Sequence, residues 1–288
     1  MRIDLHVHSN ASDGSDPPAD VVRRAADGGL DVIALTDHDT VAGHDAARLA
    51  AAGLAAGGRR PVQVVLGAEL SCLVDGVSLH MLGYLFDPEH PQLASELERL
   101  RGDRTRRGHA IVDKLIELGA PVSWEQVSAI AGDGAVGRPH IARALVGTGV
   151  VPDVASAFVP EWIGNGGRAY VEKYSLDPAR AIELVHSAGG VAVFAHPAAS
   201  SRGEIVGTDY IRQLAAAGLD GLEVDHPDHD PATRERLRTL ADELGLLVTG
   251  SSDYHGAVKS TTLGANTTEP AVFEALLARS RGAQVGQP

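Results

Sequence analysis

The sequence predicts an α/β chain folded as an incomplete or distorted parallel barrel, interrupted by an all-helical insertion. Three observations carry that expectation. Short β-branched runs alternate with helical stretches toward both ends of the 288-residue chain, which is the rhythm of βαβ units around a parallel sheet. Between residues 93 and 169 the alternation stops and only helical patterns occur. The strand–helix units number about seven, enough to wrap most of a barrel. An open doubly wound sheet is the alternative assembly of the same units, and both put catalytic groups at the C-terminal ends of strands.

Each element follows from its residues. "RIDLHVH" alternates Ile3, Leu5 and Val7 against Asp4, His6 and His8, a period of two that reads as a strand. "SDPPADVVRRAADGG" offers Ser15 or Asp16 as a cap, prolines at the start and glycines at the end of a helix. "LDVIALTDHDT" is an apolar strand ending in a polar cluster, and "VAGHDAARLAAAGLAAGG" is an Ala-rich helix. "PVQVVLGAELSC" is a β-branched strand, followed by "SLHMLGY" as the next. "PQLASELERLRGDRTRRGHAIVDKLIELG" reads as one or two amphipathic helices, with shorter ones at "SWEQVSAIAG" and "RPHIARALVGTG". Alternation resumes with strands at "VAVFAHP", "LDGLEVDHP" and "LLVTGSSDYH", each preceded by a helical stretch. The expected organisation is therefore a barrel domain over 1–92 and 170–288, with a helical module over 93–169 covering the site.

Composition removes several function classes. A hydrophobic content of 44% suits a soluble globular protein, and no apolar run approaches the roughly 20 residues a membrane span needs. Asp4, His6 and His8 stand where a secretory signal would be basic and then apolar. The single cysteine, Cys72, excludes an internal disulfide and suits a cytoplasmic location. A net charge of −13 argues against binding long duplex nucleic acid. Phosphate substrates stay open, because bound divalent cations reverse the local field. Aromatics at 4% form no extended stacking platform, although one or two bases could be held.

The polar residues collect where the fold would place chemistry. His6 and His8 end the first strand, with Asp13 in the loop beyond. His38 follows the second strand, Glu69 ends the third, and His80 begins or sits within the next. His196 follows "VAVF", and Asp253 and His255 follow "LLVTG". Imidazole and carboxylate donors without thiolates suit Zn²⁺, Mn²⁺ or Fe²⁺. Nine such groups exceed the needs of one ion and match two or three, with a carboxylate bridging. Ions about 3.5–4 Å apart can clamp a phosphoryl group and generate a bridging hydroxide that attacks phosphorus. No side-chain nucleophile stands out, and there is no GxSxG.

The motifs "DLHVHS", "TDHD", "AHP" and "SDYH" together resemble those of the PHP (polymerase and histidinol phosphatase) domain family. The resemblance covers about residues 1–84 and 170–268. It implies a distorted (β/α)7 barrel with a trinuclear metal centre. On that resemblance, His6, His8, Glu69 and Asp253 would hold one ion. Glu69, His80 and His196 would hold a second, with Glu69 as the bridge, and Asp13, His38 and His255 the third. The insertion resembles that of stand-alone PHP phosphoesterases acting on nucleoside 3′,5′-bisphosphates and on 5′ ends of short oligonucleotides. Their Gly-Arg-Pro-His stretch is matched by Gly137 to His140. The implied substrate is thus a phosphorylated nucleotide or short oligonucleotide. Histidinol phosphate is the same-class alternative, and a non-catalytic PHP-fold interaction module is the alternative of another class.

Around this set, further expectations attach to single residues. Glu69 and Asp253 are the catalytic carboxylates through the ions they hold. Arg138 is suited to bidentate phosphate binding. His140 is read as a phosphate ligand or as the proton donor to the leaving oxygen. His226 is expected to line the pocket and His229 to be solvent-exposed. Lys173 and Arg202 are expected at the surface, with contact to a second phosphate as the other possibility. Asp37 and Asp39 either orient an imidazole or serve a turn. Trp124 and Trp162 are expected in the core of the helical module, with base stacking as the alternative.

Overall fold

A computed structural model describes residues 1–132, 136–200 and 203–283 of the chain. Seven strands form one sheet in sequential order: β1 (Ile3–Val7), β2 (Val32–Leu35), β3 (Gln63–Val74), β4 (Val77–Tyr84), β5 (Val191–Phe194), β6 (Gly221–Asp225) and β7 (Leu247–Gly250). Helices α1 (Pro18–Asp27), α2 (His44–Ala56), α6 (Pro178–Ser187), α7 (Thr208–Ala216), α8 (Pro231–Leu244) and α9 (Pro270–Arg279) accompany the strands. The sheet nearly closes on itself. Val7 bridges to Tyr254 just beyond β7, where the His8 N–H donates to Tyr254 O at 2.9 Å.

The sheet departs from the expected all-parallel pattern at one strand. β4 runs antiparallel to both β3 and β5, and no helix separates it from β3. The reason lies in "VDGV": Asp75 and Gly76 both take positive φ, +48° and +83°, as a two-residue hairpin turn requires. β3 therefore overshoots the rim of the barrel and β4 returns past it. His80 pairs with Ser71 in that projecting hairpin, so it reaches the rim from within an antiparallel strand and not from a strand's C-terminal end.

Alternation along β1 also breaks. Ile3 and Leu5 pack with Val32, Val65, Leu82 and Val193 in a cluster inside the barrel. Val7 instead packs outward with Val21, Ile33 and Ala47. The β1–β2 register shifts between Asp4 and Val7, and such an irregularity re-aims a side chain at a barrel rim. The expected single apolar face of Ile3, Leu5 and Val7 is thus split. His6 turns into the barrel mouth together with His8.

Between β4 and α6 lie α3 (Pro91–Glu117), α4 (Trp124–Ala131) and α5 (Arg138–Gly147). α3 is one continuous helix of 27 residues, about 40 Å long, and it joins two cores. Leu93, Leu97 and Leu100 pack with Phe86, Ile182 and Val185 of the barrel's outer layer. Ile111, Val112 and Leu115 pack with Val127, Ile141 and Leu145 in a separate helical cluster. Gly108 permits that second packing, since a Cβ there would lie 3.0 Å from Val136 and 3.1 Å from Trp124. α4 begins with a capping box: Gln126 N donates to Ser123 Oγ and Ser123 N to the Gln126 side chain. At α5 the "GRPH" stretch supplies a proline in the first turn and His140 Nδ1 accepts from Gly137 N at 2.9 Å. No helix among the described residues is long and apolar enough to cross a membrane.

Candidate metal centre

All nine expected donors converge on the barrel mouth. His6 Nε2 and His8 Nε2 lie 3.0 Å apart, and each lies 3.1 Å from Glu69 Oε2. Asp253 Oδ1 stands 3.5 Å from His6 Nε2 and 3.4 Å from His8 Nε2. The other oxygen of Glu69 meets His80 Nδ1 at 2.7 Å and His196 Nε2 at 3.0 Å. Asp13 faces His255 Nε2 at 3.3 Å and His38 Nε2 at 3.7 Å. Glu69 therefore touches both of its neighbouring groups with one carboxylate. His196 and Asp253 have positive φ, +31° and +49°, a conformation that clusters at functional sites.

The donor set fits divalent cations on its own geometry. Donor atoms held about 2.0–2.1 Å from one tetrahedral ion stand about 3.3 Å apart, and the separations around His6, His8, Glu69 and Asp253 run from 3.0 to 3.5 Å. Two imidazole nitrogens facing each other and a shared carboxylate cannot all be satisfied by hydrogen bonds. Among the described residues, His38 Nδ1 and His80 Nδ1 are buried with no hydrogen-bond partner, although Glu69 is beside both. Among the described residues three groupings could each hold an ion: His8, Asp13, His38 and His255; His6, His8 and Asp253; and His38, Glu69 and His80. Electrostatics points the same way. Burial pushes the Glu69 carboxyl up, but His38, His80 and His6 outweigh it and hold Glu69 well below the usual range. Asp13 is likewise held low against its burial by His255 and His38. These carboxylates stay ionised and demand positive charge.

A layer of buried groups fixes the donors. Glu223 on β6 accepts from His196 N at 2.7 Å and from Ser251 Oγ, and it lies 3.0 Å from His6 Nδ1. One carboxylate thus fixes the His6 ring, the His196 backbone and the Ser251 hydroxyl, which come from three other strand ends. Burial alone raises an acid, yet the imidazole of His6 holds Glu223 low. Its neighbours Leu222 and Val224 pack outward, and the β6–β7 register shifts between Glu223 and Asp225. Asp4 accepts from Ser252 N at 3.0 Å and Gly264 N at 2.8 Å, tying the first strand to the loop before Asp253. The sequence signal for both was available: each carboxylate sits inside an apolar strand, where ionised groups are rare unless partnered.

The two flanks of "TDHD" divide their roles. Asp37 accepts from Ser9 N, Ser9 Oγ and Ser12 Oγ at 2.6–2.8 Å, which shapes the loop carrying Asp13. Asp39 accepts from Ser71 N at 2.7 Å, Ser71 Oγ at 2.9 Å and Arg104 Nε at 2.6 Å. Arg104 on α3 is thereby locked to the rim, a link that sequence reasoning missed because its partner lies 65 residues away.

Beside the donors lies a cavity of about 270 Å³. Its walls come from the rim (Asp13, His38, His80, His196), the hairpin (Ser71, Ser78) and the helical module (Arg104, Arg107, Arg138, Phe158). Arg138 lines it, with Nη1 donating to Asn165 Oδ1 at 2.8 Å. His140 and His226 are not part of that wall. His140 is buried behind it, where burial and then Arg143 push its imidazole down to about 4. His226 is also buried and backs the donors, with Nε2 3.4 Å from Asp253 Oδ2. Lys259, absent from the sequence expectations, donates to the same oxygen at 2.7 Å.

Two exposure expectations are corrected. His229 is buried, because Val224 O and Ala198 N engage both ring nitrogens. Lys173 lines the cavity, because Ser78 Oγ at 2.7 Å draws its amine inward. Arg202 lies outside the described residues. Trp124 stacks on His109 with ring centroids 3.5 Å apart, and Trp162 packs on the helical cluster.

The chain is similar to several known proteins. A family model described as the PHP domain matches residues 4–117. A 5′-3′ exoribonuclease of Haemophilus influenzae is 36% identical over 92% of this chain and 94% of its own length. A phosphoribosyl 1,2-cyclic phosphate 1,2-diphosphodiesterase of Eggerthella lenta is 35% identical over 89% of this chain and 95% of its own. A 3′,5′-nucleoside bisphosphate phosphatase of Chromobacterium violaceum is 33% identical over 88% and 87%. Among solved structures, a protein of Bifidobacterium adolescentis assigned as a metal-dependent phosphoesterase superposes with a TM-score of 0.89 at 35% identity, covering 98% of this chain and 96% of that one.

Proposed function

The chain belongs to the PHP domain family and is a metal-dependent phosphoesterase, and we propose that it removes the 3′-phosphate of nucleoside 3′,5′-bisphosphates, converting adenosine 3′,5′-bisphosphate to AMP and phosphate. Trimming of short 5′-phosphorylated RNA is the related activity of the same site. We further propose two or three ions of Mn²⁺, Fe²⁺ or Zn²⁺, residues 93–169 as a module covering the site, and a cytoplasmic location.

One observation carries the substrate. Beyond the metal donors, the cavity wall holds Arg107, Arg138 and Lys173, whose hydrogen bonds go to the neutral oxygens Val171 O, Ile163 O with Asn165 Oδ1, and Ser78 Oγ. Burial and then the neighbouring guanidinium groups lower Arg107 to about 10 and Lys173 to about 8. Such a cluster suits an anion separate from the phosphoryl group at the rim. A bisphosphate or an oligonucleotide supplies one. Histidinol phosphate instead brings an ammonium group that these cations repel, and the relatives named above include a 5′-3′ exoribonuclease, a phosphoribosyl cyclic phosphate diphosphodiesterase and a nucleoside bisphosphate phosphatase.

The ions, when bound, supply Lewis acidity to the phosphoryl oxygens and lower the pKa of water. The chain's residues do the rest. Glu69, Asp13 and Asp253 balance the ions' charge. Glu223 and Asp37 hold donor-bearing loops and rings in place. Arg104, locked by Asp39, and Arg138 orient the substrate from the helical side. His140 serves that side through its bond to Gly137 N, which sets the helix start bearing Arg138. Metal analysis with phosphate release from a panel tests the reading: nucleoside 3′,5′-bisphosphates, mononucleotides, short 5′-phosphorylated RNA, a ribose cyclic phosphate and histidinol phosphate. Nucleoside bisphosphates should lead. Faster turnover of histidinol phosphate than of any nucleotide overturns the substrate.

A further inference from the structure

Eight large hydrophobic side chains are exposed among the described residues, and two of them, Phe158 at 38% and Ile205 at 45%, line the same cavity. They come from distant parts of the chain. Phe158 follows a short 3₁₀ turn at Ala155–Ala157 in the helical module, while Ile205 lies between β5 and α7 of the barrel. Exposed apolar surface that two separate elements bring to one charged cavity marks a ligand contact better than scattered exposure does. The Arg138 guanidinium lies 5.5 Å from the centre of the Phe158 ring, so the aromatic surface and the anion-binding cation are neighbours.

We infer that Phe158 and Ile205 form a subsite for a heterocyclic base, with Phe158 as the stacking surface. This inference rests on the nucleotide reading above and adds to it the contact that separates nucleotides from other bisphosphates. The order of groups is what a nucleotide presents: metal donors for the scissile phosphate, Arg138 for an anion, and an aromatic face beside that arginine. Phe158 supplies a flat apolar surface that every base can use, since each has a π-face. Ile205 adds a side chain without hydrogen-bond donors or acceptors to the same cavity, so the subsite selects for a base without choosing which.

The test compares adenosine 3′,5′-bisphosphate with the abasic ribose 3′,5′-bisphosphate on the Mn²⁺-loaded protein. The wild type should prefer the nucleotide in kcat/KM by about tenfold or more. Phe158→Ala should lower that ratio by about tenfold, and Phe158→Leu, which keeps apolar volume without a π-face, should lower it in the same direction. Equilibrium binding of AMP should weaken in parallel. A ratio that stays within about twofold of the wild type in both variants overturns the subsite. A wild type that hydrolyses both substrates equally overturns it too, while leaving the phosphoesterase reading intact. Failure to hydrolyse either substrate overturns that reading first.

Discussion

The barrel rim and the helical wall opposite it confront one cavity with opposite unmet demands. At the rim, carboxylates and imidazole lone pairs crowd within 2.7–3.7 Å and call for cations. On the wall, guanidinium and ammonium groups rest on neutral oxygens and call for anions. A phosphate ester carrying a second phosphate satisfies both when ions lie between. The difference also separates two kinds of failure, in hydrolysis itself and in the choice of what is hydrolysed.

Substitutions can break that division or sharpen it. Glu69→Gln should be the most severe, because one carboxylate serves several groupings. We expect loss of bound metal by elemental analysis and a fall of about a thousandfold in kcat/KM for every phosphoester; retention of full metal content would contradict the shared-carboxylate geometry. Arg138→Ala should lower kcat/KM for a nucleoside bisphosphate by about a hundredfold. Its metal content should match the wild type, and turnover of a simple aryl phosphate should suffer much less. Equal damage to both substrates would place Arg138 with the rim. Glu223→Gln should weaken metal affinity by about 10–100-fold in chelator competition and disturb the His6 tautomer seen by NMR, while the far-UV spectrum holds.

The smallest effect is a pH dependence. Lys173 is lowered to about 8 by burial and by Arg104, so its ammonium is present below that pH and lost above it. Affinity for a second phosphate should therefore decline by about fivefold as pH rises through about 8. Lys173→Arg should carry that limb to higher pH, and a limb that stays in place would assign it to another group.

The rim was legible in the sequence to an extent the wall was not, and the reason is local. His6, His8, His38, His196, Asp253 and His255 each follow or end a strand, so recognising the strands already brings their ends together. His80 came to the rim by a different route, through an Asp-Gly hairpin at Asp75–Gly76 that the expectation of a parallel sheet passed over. Wall residues depend on contacts with barrel loops and strands far away in the sequence. Arg104 finds Asp39 across 65 residues, and Lys173 turns inward for Ser78 across 95. Nothing in the neighbouring sequence of either announces its partner. Glu223 was not legible because its partners His6, His196 and Ser251 all come from other strand ends.

The bridge from Val7 to Tyr254 has a consequence for how the protein is made. His6 and His8 are synthesised long before Asp253 and His255. Contacts so far apart in sequence form late and slowly. A growing chain therefore presents two histidines alone, a weak ligand, until the seventh strand docks against the first. His6 and His8 at the end of β1 and Asp253 and His255 beyond β7 would hold ions in common, so bound ions would brace the first strand against the seventh.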